Sequence, residues 1–438
     1  MNLIRLLAHF CHDRSDEPSP MTDENFFPIR DSAAGRGRVL IVGGSTRAAA
    51  WSAVRAGWQP VCADLFADED TRQVAEVISV RDYPRSLPDD VARVQAEGWF
   101  YTGALENYPD IIEQLSQPNA TYGPLWGTTA AALRLVRDPQ WLASTLREAS
   151  LPALTVRPET SPPPTDGIWM QKPIASAGGR AIRVWDRSAE RAALAEPHYF
   201  QQRARGESCS ALFRAESHRV EWLGASRQLI HFELSRAPIP FAYCGSVGPI
   251  DRVGTAVSIS ESVRFTLTRI AQTVTQAAAL QGLFSIDFLL NGHDICPTEI
   301  NPRYTASVEV LELANGRALL PTRNGHGENA PRQDRLSVEE GAARPFVAKL
   351  ILYAAHRFTA PDLTPLLHRE SLWQTPLLAD IPAPGTVIEP EWPICTVLAD
   401  GSSFEQCQAN LMLRVQQLKR LGITGTGDLS TFHDCVSD

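Results

Sequence analysis

The hydrophobic pattern sharpens at Arg38. Val39 to Val42 is an apolar, strand-like run, Gly43-Gly44-Ser45 breaks it, Thr46 to Ala56 reads as a helix, and Pro60 to Phe66 reads as a second strand ending near Asp64. A strand over Val77 to Val80, a helix over Asp89 to Glu97 and a strand over Trp99 to Leu105 continue the alternation, which predicts a small parallel sheet with helices on its faces. Gly43-Gly44 lacks the full G-x-G-x-x-G spacing of a phosphate-binding turn, so it reads as a tight strand-to-helix turn. Residues 1–37 are polar and rich in Pro, Asp and Ser after a short apolar stretch; such a composition builds no core, and a disordered tail is expected.

Pro139 to Ser150 reads as a helix with Asp138 as N-cap and Pro139 in the first helical position. A stiff loop over Arg157 to Gly167, with three consecutive prolines, leads into a strand over Ile168 to Lys172 and then the run Pro173 to Arg180. In that run Ser176, Gly178 and Gly179 let backbone N–H groups come close to phosphate oxygens, and Lys172 supplies a point charge, so it reads as a flexible loop over a nucleotide. Tyr199 to Glu207 reads as a short strand leaving toward a turn at Gly206, able to offer backbone groups to an adenine edge and Glu207 to a ribose hydroxyl. Taken alone, Gln201, Gln202 and Glu207 would pass for surface residues. A helix over Thr266 to Gln281 is expected to pack on a sheet. Leu320 to Arg344 reads as a long surface connection and a domain boundary. Beyond it, strands over Phe346 to Tyr353 and Ile394 to Leu398, a turn-rich stretch Asp380 to Glu391 and a helix over Gln408 to Leu421 follow.

The run Asp287 to Ser307, DFLLNGHDICPTEINPRYTAS, carries the most chemistry. Glu299 and Asn301 stand two apart, so on a strand both side chains face one way and can reach a single hard cation. Asn291-Gly292 between apolar runs signals a hairpin. A strict two-residue turn pairing Leu290 with His293 would put Asp287 and Glu299 on opposite faces. A three-residue connection over Asn291 to His293, or a bulge, restores the parity. It would aim Ser285, Asp287, Glu299 and Asn301 one way and leave Phe284, Ile286 and Phe288 for the core. Pro297 fits an edge strand or an interruption. An ordinary half-buried hairpin with a solvated acidic face is the plainer alternative, and the addition of Asp287 and Arg303 to Glu299 and Asn301 tips the reading toward a magnesium-nucleotide site.

Composition narrows the class. The chain has 438 residues, 44% hydrophobic and 21% charged, and no apolar stretch approaches the roughly 20 residues of a membrane span. A net charge of -9 argues against a general nucleic-acid surface and favours small-molecule chemistry. The eight cysteines lack C-x-x-C or framework spacing and read as reduced, mostly buried thiols. Leu3 to Cys11 is broken by Arg5 and His9, with no small-residue cleavage site after it, so a cytoplasmic protein is expected.

Six phrases then line up in order: YTGALENYP (101–109), VRDPQWLASTLREASLP (136–152), QKPIASAGGRAI (171–182), GASRQLI (224–230), FAYCGSVGP (241–249) and EINPRYTASVEVLE (299–312). Together they resemble the ATP-grasp superfamily, in particular predicted ATP-dependent carboligases related to biotin carboxylase. The resemblance implies a mixed α/β and α+β fold. It would comprise an N-terminal Rossmann-like pre-ATP-grasp domain at 38–122, a two-lobed ATP-grasp domain at 123–320 and a small β-rich, carboxylase-like segment at 321–438. It also implies residue roles. Lys172 would contact the phosphates under the Ser176 to Gly179 loop, Gln202 would lie near adenine and Glu207 at the ribose. Asp287, Glu299 and Asn301 would bind magnesium, or manganese, and Arg303 would stabilise the transferred phosphoryl group. Arg137 stands where many of these enzymes have a second lysine, Gln202 replaces a carboxylate, and Glu391-Trp392 stands where a glycine would be usual. Arg227, Tyr243 and Ser307 lie in family-like phrases and are candidates for substrate contacts, with packing and turn hydrogen bonds as the alternative.

The activity implied is carbon–nitrogen ligation through an acylphosphate, with a carboxylate and an amine as small-molecule partners, for example an amino acid added to a coenzyme precursor in one-carbon metabolism. Two other readings stand beside it: biotin-carboxylase-like carboxylation through carboxyphosphate, and a non-catalytic ATP-binding regulatory protein. By analogy with relatives, a homodimer is expected.

Overall fold

The computed structural model describes residues 37–191, 194, 196–252, 255, 257–322, 344–367 and 369–420. The expected N-terminal tail, Cys11, Cys435 and most of the 320–344 connection lie outside the described residues.

The first sheet joins β1 (Arg38–Gly43), β2 (Gln59–Asp64), β3 (Glu76–Ser79) and β4 (Trp99–Tyr101) in the order β3-β2-β1-β4, all parallel. Helix α1 (Arg47–Arg55) links β1 to β2 as the periodicity predicts. The Gly43-Gly44 turn is structural: Asp64, at the end of β2, accepts hydrogen bonds from the Thr46 backbone N (2.5 Å) and the Thr46 hydroxyl (2.6 Å), which occupies the α1 N-terminus. A side chain at Gly43 would meet Thr102 Oγ1 at 1.9 Å, so the turn has room for glycine alone. α2 (Glu69–Arg72) is one turn long. Two expectations are corrected here. The helix over Asp89 to Glu97 is a single turn, α3 (Leu87–Asp90), with Pro88 in its first turn; Val91 and Val94 then pack inward from a series of turns. β4 stops at Tyr101 because Ala104 adopts a left-handed conformation (φ 76) that no strand continues.

α4 (Pro109–Leu115), α5 (Ala130–Val136) and α6 (Pro139–Glu148) lead toward the centre. Asp138 caps α6 by accepting from the Gln140 and Trp141 backbone N–H groups, as the sequence signals. A second sheet of four antiparallel strands follows, ordered β5-β8-β6-β7, with β5 (Val156–Pro158), β6 (Asp166–Pro173), β7 (Arg183–Asp186) and β8 (His198–Gln202). α7 (Arg187–Arg191) packs beside β7.

The third sheet has eight strands in the order β13-β12-β9-β10-β11-β14-β18-β16. Its members are β9 (Glu207–Glu216), β10 (Arg219–Ile230), β11 (Tyr243–Gly248), β12 (Gly282–Asn291), β13 (Asp294–Asn301), β14 (Phe346–Tyr353), β16 (Leu378–Ala379) and β18 (Pro393–Gly401). β15 (Phe358–Thr359) and β17 (Val387–Ile388) pair separately. The C-terminal strands join the central sheet, since β14 pairs with β11 and β18 with β14. Between β17 and β18, Glu391 adopts φ 70, so a glutamate holds the left-handed conformation for which glycine is usual, while Trp392 beside it is buried.

Alternation along these strands gives the sheet two different faces. Cys209, Ala211, Phe213, Phe284, Ile286 and Phe288 point to one side, where α8 (Glu261–Ala278) covers them with Val263, Leu267, Ile270 and Val274. The other side is apolar at one end, where Leu212, Leu223 and Leu283 meet α1 and α9 (Ala306–Asn315), and polar at the other end. α10 (Phe404–Arg420) follows β18 and buries Phe404, Cys407 and Leu411. Among the described residues, no helix is long and apolar enough to cross a membrane.

Candidate functional site

The hairpin that organises the site solves its parity problem with a bulge. Asn291 pairs with Asp294 across the two-residue turn Gly292-His293, and this register runs to Phe288 opposite Pro297. There it shifts by one, leaving Thr298 unpaired and placing Asp287 opposite Glu299 and Ser285 opposite Asn301. Of the two devices expected, the bulge is the one used; the three-residue turn is not. β13 is an edge strand, so Pro297 removes no bond to a further strand. The Thr298 hydroxyl donates to the Asp287 carbonyl at 3.0 Å.

Ser285, Asp287, Glu299 and Asn301 face a cavity of about 500 Å³, within the usual range for small-molecule sites. The second sheet forms its opposite wall, contributing Lys172 from β6, Tyr199 and Gln202 from β8, and the Ser176 to Gly179 loop. The two walls are tied by Gln201: its amide donates to the Thr298 carbonyl at 3.2 Å, and its oxygen accepts from Lys172 Nζ at 3.2 Å. The loop is shaped by glycine. Gly179 has φ 82, and a Cβ there would lie 1.8 Å from the Phe241 carbonyl oxygen. Tyr243 N donates to the Gly178 carbonyl at 3.2 Å, which lays the loop against the cavity rim.

Charges are paired across the cavity. Arg137, just after α5, forms an ion pair with Glu299 and donates to the carbonyls of Ile174 (3.5 Å) and Ser176 (3.4 Å). Asp287 accepts from the Ser210 hydroxyl at 2.8 Å and from the Asn301 amide at 3.0 Å. Burial, then the Glu299 charge, pushes the Asp287 carboxyl up to about 6. At Glu299 burial acts in the same upward direction, but Arg137, Lys172 and Arg303 outweigh it and hold that carboxyl below its ordinary value. Arg303 Nε donates to Glu106 at 2.6 Å, and its Nη2 reaches the Asn301 side-chain oxygen at 3.4 Å.

The remaining expected residues divide. Tyr243 and Ser307 line the cavity; the Tyr243 hydroxyl bonds Ser246 at 2.7 Å, and Ser307 bonds Thr305 at 2.9 Å. Glu207 and Arg227, expected at ribose and substrate, do not line it and pair with each other at 2.8 Å. The cause is parity. Arg227 stands opposite Cys209 in the register, so both odd-numbered positions belong to the face covered by α8, while Ser208, Ser210 and Gln228 face the cavity. Sequence reasoning did not single out Glu106, Ser210 or Gln228. Glu106 at least lay in view, within the phrase YTGALENYP.

Asp287, Glu299 and Asn301 form a hard oxygen set suited to a divalent cation such as magnesium. Among the described residues, no group of three or more His, Cys, Asp or Glu could hold a metal alone. Two carboxylates and an amide suit an ion that keeps its other bonds for phosphate oxygens and water, which is the habit of magnesium.

Residues 140–307 match the model of the ATP-grasp domain. No curated protein matches the chain. Among solved structures, N5-carboxyaminoimidazole ribonucleotide synthetase from Thermus thermophilus matches with TM-score 0.57 and 16% identity, over 87% of this chain and 98% of that one. An L-amino acid ligase from Bacillus licheniformis matches with TM-score 0.61 and 14% identity, over 87% and 98%. The biotin carboxylase domain of the Hydrogenobacter thermophilus 2-oxoglutarate carboxylase, solved with MgADP and bicarbonate, matches with TM-score 0.59 and 11% identity, over 89% and 95%. At these identities the likeness establishes the fold, which is the ATP-grasp fold.

Proposed function

We propose that this chain, whose residues 140–307 match the ATP-grasp domain, is an ATP-dependent ligase that activates a carboxylate as an acylphosphate and joins it to an amine, releasing ADP and phosphate. The observation that carries the reading is the convergence of Lys172, Arg137 and Arg303 with Asp287, Glu299 and Asn301 on one cavity between two sheets. Phosphoryl transfer asks a protein for positioning and charge neutralisation more than for a nucleophile. Cys209 fits that division of labour. Cys209 lies on the opposite face of β9, and burial pushes it up to about 12, so it is a poor nucleophile.

In this reading Lys172 and Arg137 hold the phosphate chain, the Ser176 to Gly179 loop covers it with backbone N–H groups, and adenine lies against β8 near Gln202. Glu207 has no part in it while paired with Arg227. Asp287, Glu299 and Asn301 hold the divalent cation, which when bound neutralises phosphate charge. Arg303 stabilises charge on the transferred group, and Tyr243 and Ser307 border the acid. We read the amine as an amino acid or a related small amine, and the domain limits as 38–122, 123–320 and 321–438.

The test is incubation of purified protein with magnesium, ATP and a pool of organic acids and amines, reading ADP release and the mass of any new product. The ligase reading expects ADP release that needs both an acid and an amine. Release supported by bicarbonate alone would replace it with carboxylation, and ATP binding without ADP release would replace it with a regulatory role.

A further inference from the structure

The nucleotide and metal set leaves one acidic residue of the cavity unused. Glu106 sits in the turn Leu105–Asn107 beyond β4, where the parallel sheet delivers a loop from the carboxyl end of a strand to the cavity. Its side chain is 1% exposed. Oε1 accepts from Arg303 Nε at 2.6 Å, while Oε2 is buried and has no hydrogen-bond partner. Among the described residues it is the one buried carboxylate oxygen in that condition. The cavity's other two carboxylates are engaged, Glu299 by Arg137 and Asp287 by Ser210 and Asn301.

The surroundings repeat the pattern. The hydroxyls of Tyr83 and Tyr108 are also buried without partners, and their rings meet edge to face with centroids 6.4 Å apart. After burial, the Glu106 charge is the next cause raising the Tyr83 hydroxyl above its ordinary value, so that charge reaches the pair. A buried anionic oxygen is costly to leave bare. The group that answers it brings N–H donors and positive charge, and an ammonium has both.

We propose that Glu106 Oε2 binds the nitrogen of the amine substrate, which enters as an ammonium ion and becomes the nucleophile on losing a proton; this rests on the ligase reading. In the step, one ammonium proton passes to Oε2 and the freed lone pair forms the C–N bond at the acyl carbon. The carbon–oxygen bond to phosphate breaks, and phosphate leaves with the bonding pair. Of the three N–H protons, one stays on the amide, one leaves with phosphate as hydrogen phosphate, and one returns from Glu106 to solvent. Oε1 keeps Arg303 beside the same acyl group throughout.

Hydroxylamine, which is uncharged at neutral pH, traps an acylphosphate without needing an ammonium site. The experiment compares wild type, Glu106→Gln and Glu106→Asp in the presence of magnesium and ATP. The acids are the twenty L-amino acids with a panel of dicarboxylic and aromatic acids, and the nucleophile is either the amino acids' own amines or hydroxylamine. We expect Glu106→Gln to raise KM for the amine at least tenfold while hydroxamate formation falls less than twofold, and Glu106→Asp to recover part of the amine reaction. Equal losses with both nucleophiles would overturn the inference, because Glu106 would then act only through Arg303; so would an unchanged KM for the amine. A Glu106→Gln protein that does not fold leaves Glu106→Asp to decide, since an aspartate with unaltered amine KM also overturns it. Wild type that yields neither amide nor hydroxamate with any acid defeats the ligase reading itself.

Discussion

Asp287 on β12 stands directly opposite Glu299 on β13 because Thr298 is bulged out of the ladder between Pro297 and Glu299. Were Thr298 kept in the ladder, the hairpin register would pair Asp287 with Thr298 and Ile286 with Glu299, turning Glu299 to the other face of the ribbon. The bulge also connects: the Thr298 hydroxyl donates to the Asp287 carbonyl, and its own carbonyl accepts from Gln201, which in turn accepts from Lys172. One irregular residue thus aligns the two carboxylates and ties them to the lysine wall.

Arg137 spans both halves of the proposed phosphate site, holding Glu299 and the carbonyls of Ile174 and Ser176. Charge-assisted hydrogen bonds contribute about 1.5–3 kcal/mol each. Arg137→Ala is expected to raise KM for ATP by roughly tenfold to a hundredfold, measured by ADP release, with a smaller effect on KM for the acid. Arg137→Lys restores charge without the planar fork and should recover only part of the loss.

Gly179→Ala tests the loop. The substitution meets both a left-handed backbone (φ 82) and a Cβ position 1.8 Å from the Phe241 carbonyl oxygen. Strain of this kind costs about 1–3 kcal/mol, which the loop relieves by lifting from the Phe241 to Tyr243 segment. A raised KM for ATP with a small fall in melting temperature is expected, and steady-state kinetics with calorimetry would read both.

The Asp287 carboxyl, pushed up to about 6 by burial and then by Glu299, sets a pH dependence. Its folded value lies above the unfolded one of about 3.9. In protein without metal, the stability it contributes is therefore complete below that unfolded value and is lost as pH rises through about 6. Metal ligands must be deprotonated, so magnesium binding has the opposite trend. The magnesium Kd should be roughly fourfold weaker at pH 5.5 than at pH 7.5 by proton competition at this group, as isothermal titration would show.

The helix that follows the site is anchored by buried charge. Glu309 on α9 pairs with Arg47 on α1 and with Lys349 Nζ on β14 at 3.3 Å, and all three side chains are buried. Removing one partner of such a cluster costs about 3–5 kcal/mol, so Glu309→Gln should lower the melting temperature by many degrees. Burial would raise the Glu309 carboxyl, but Arg47 and Lys349 outweigh it and hold it well below the ordinary range. Its contribution is thus fully present above an unfolded value of about 4.3 and is lost as pH falls from there toward the folded value. Thermal melts of the variant should accordingly show less acid sensitivity below that pH than wild type.

Much of the lining of the candidate site could be read from sequence because its residues lie close together along the chain. Asp287, Glu299, Asn301 and Arg303 lie on one hairpin and its exit, and Lys172 precedes a glycine-rich run, so short-range spacing carries them. The contributions of Ser210 and Gln228 depend on which of two faces a strand offers, and that is fixed by pairing with β12 and β11 far along the chain. Glu207 and Arg227 show the consequence, since a shift of one residue separates the cavity face from the face under α8. In the sequence β9, β10 and β11 lack a clean alternation, because both faces of the sheet are covered over much of their length and apolar residues fall on each. The small N-terminal sheet was readable from its β-α-β alternation, whereas its short helices and the early end of β4 were set by turns at Pro88 and Ala104.

The central claim is that Glu299, opposite Asp287, holds the cation of a phosphoryl-transfer site. Its most direct test is magnesium-dependent ADP release by wild type and Glu299→Gln with the acid and amine pool, alongside thermal melts of both. The account predicts a fall in ADP release of about a hundredfold or more with the fold retained; undiminished turnover in the variant would contradict it.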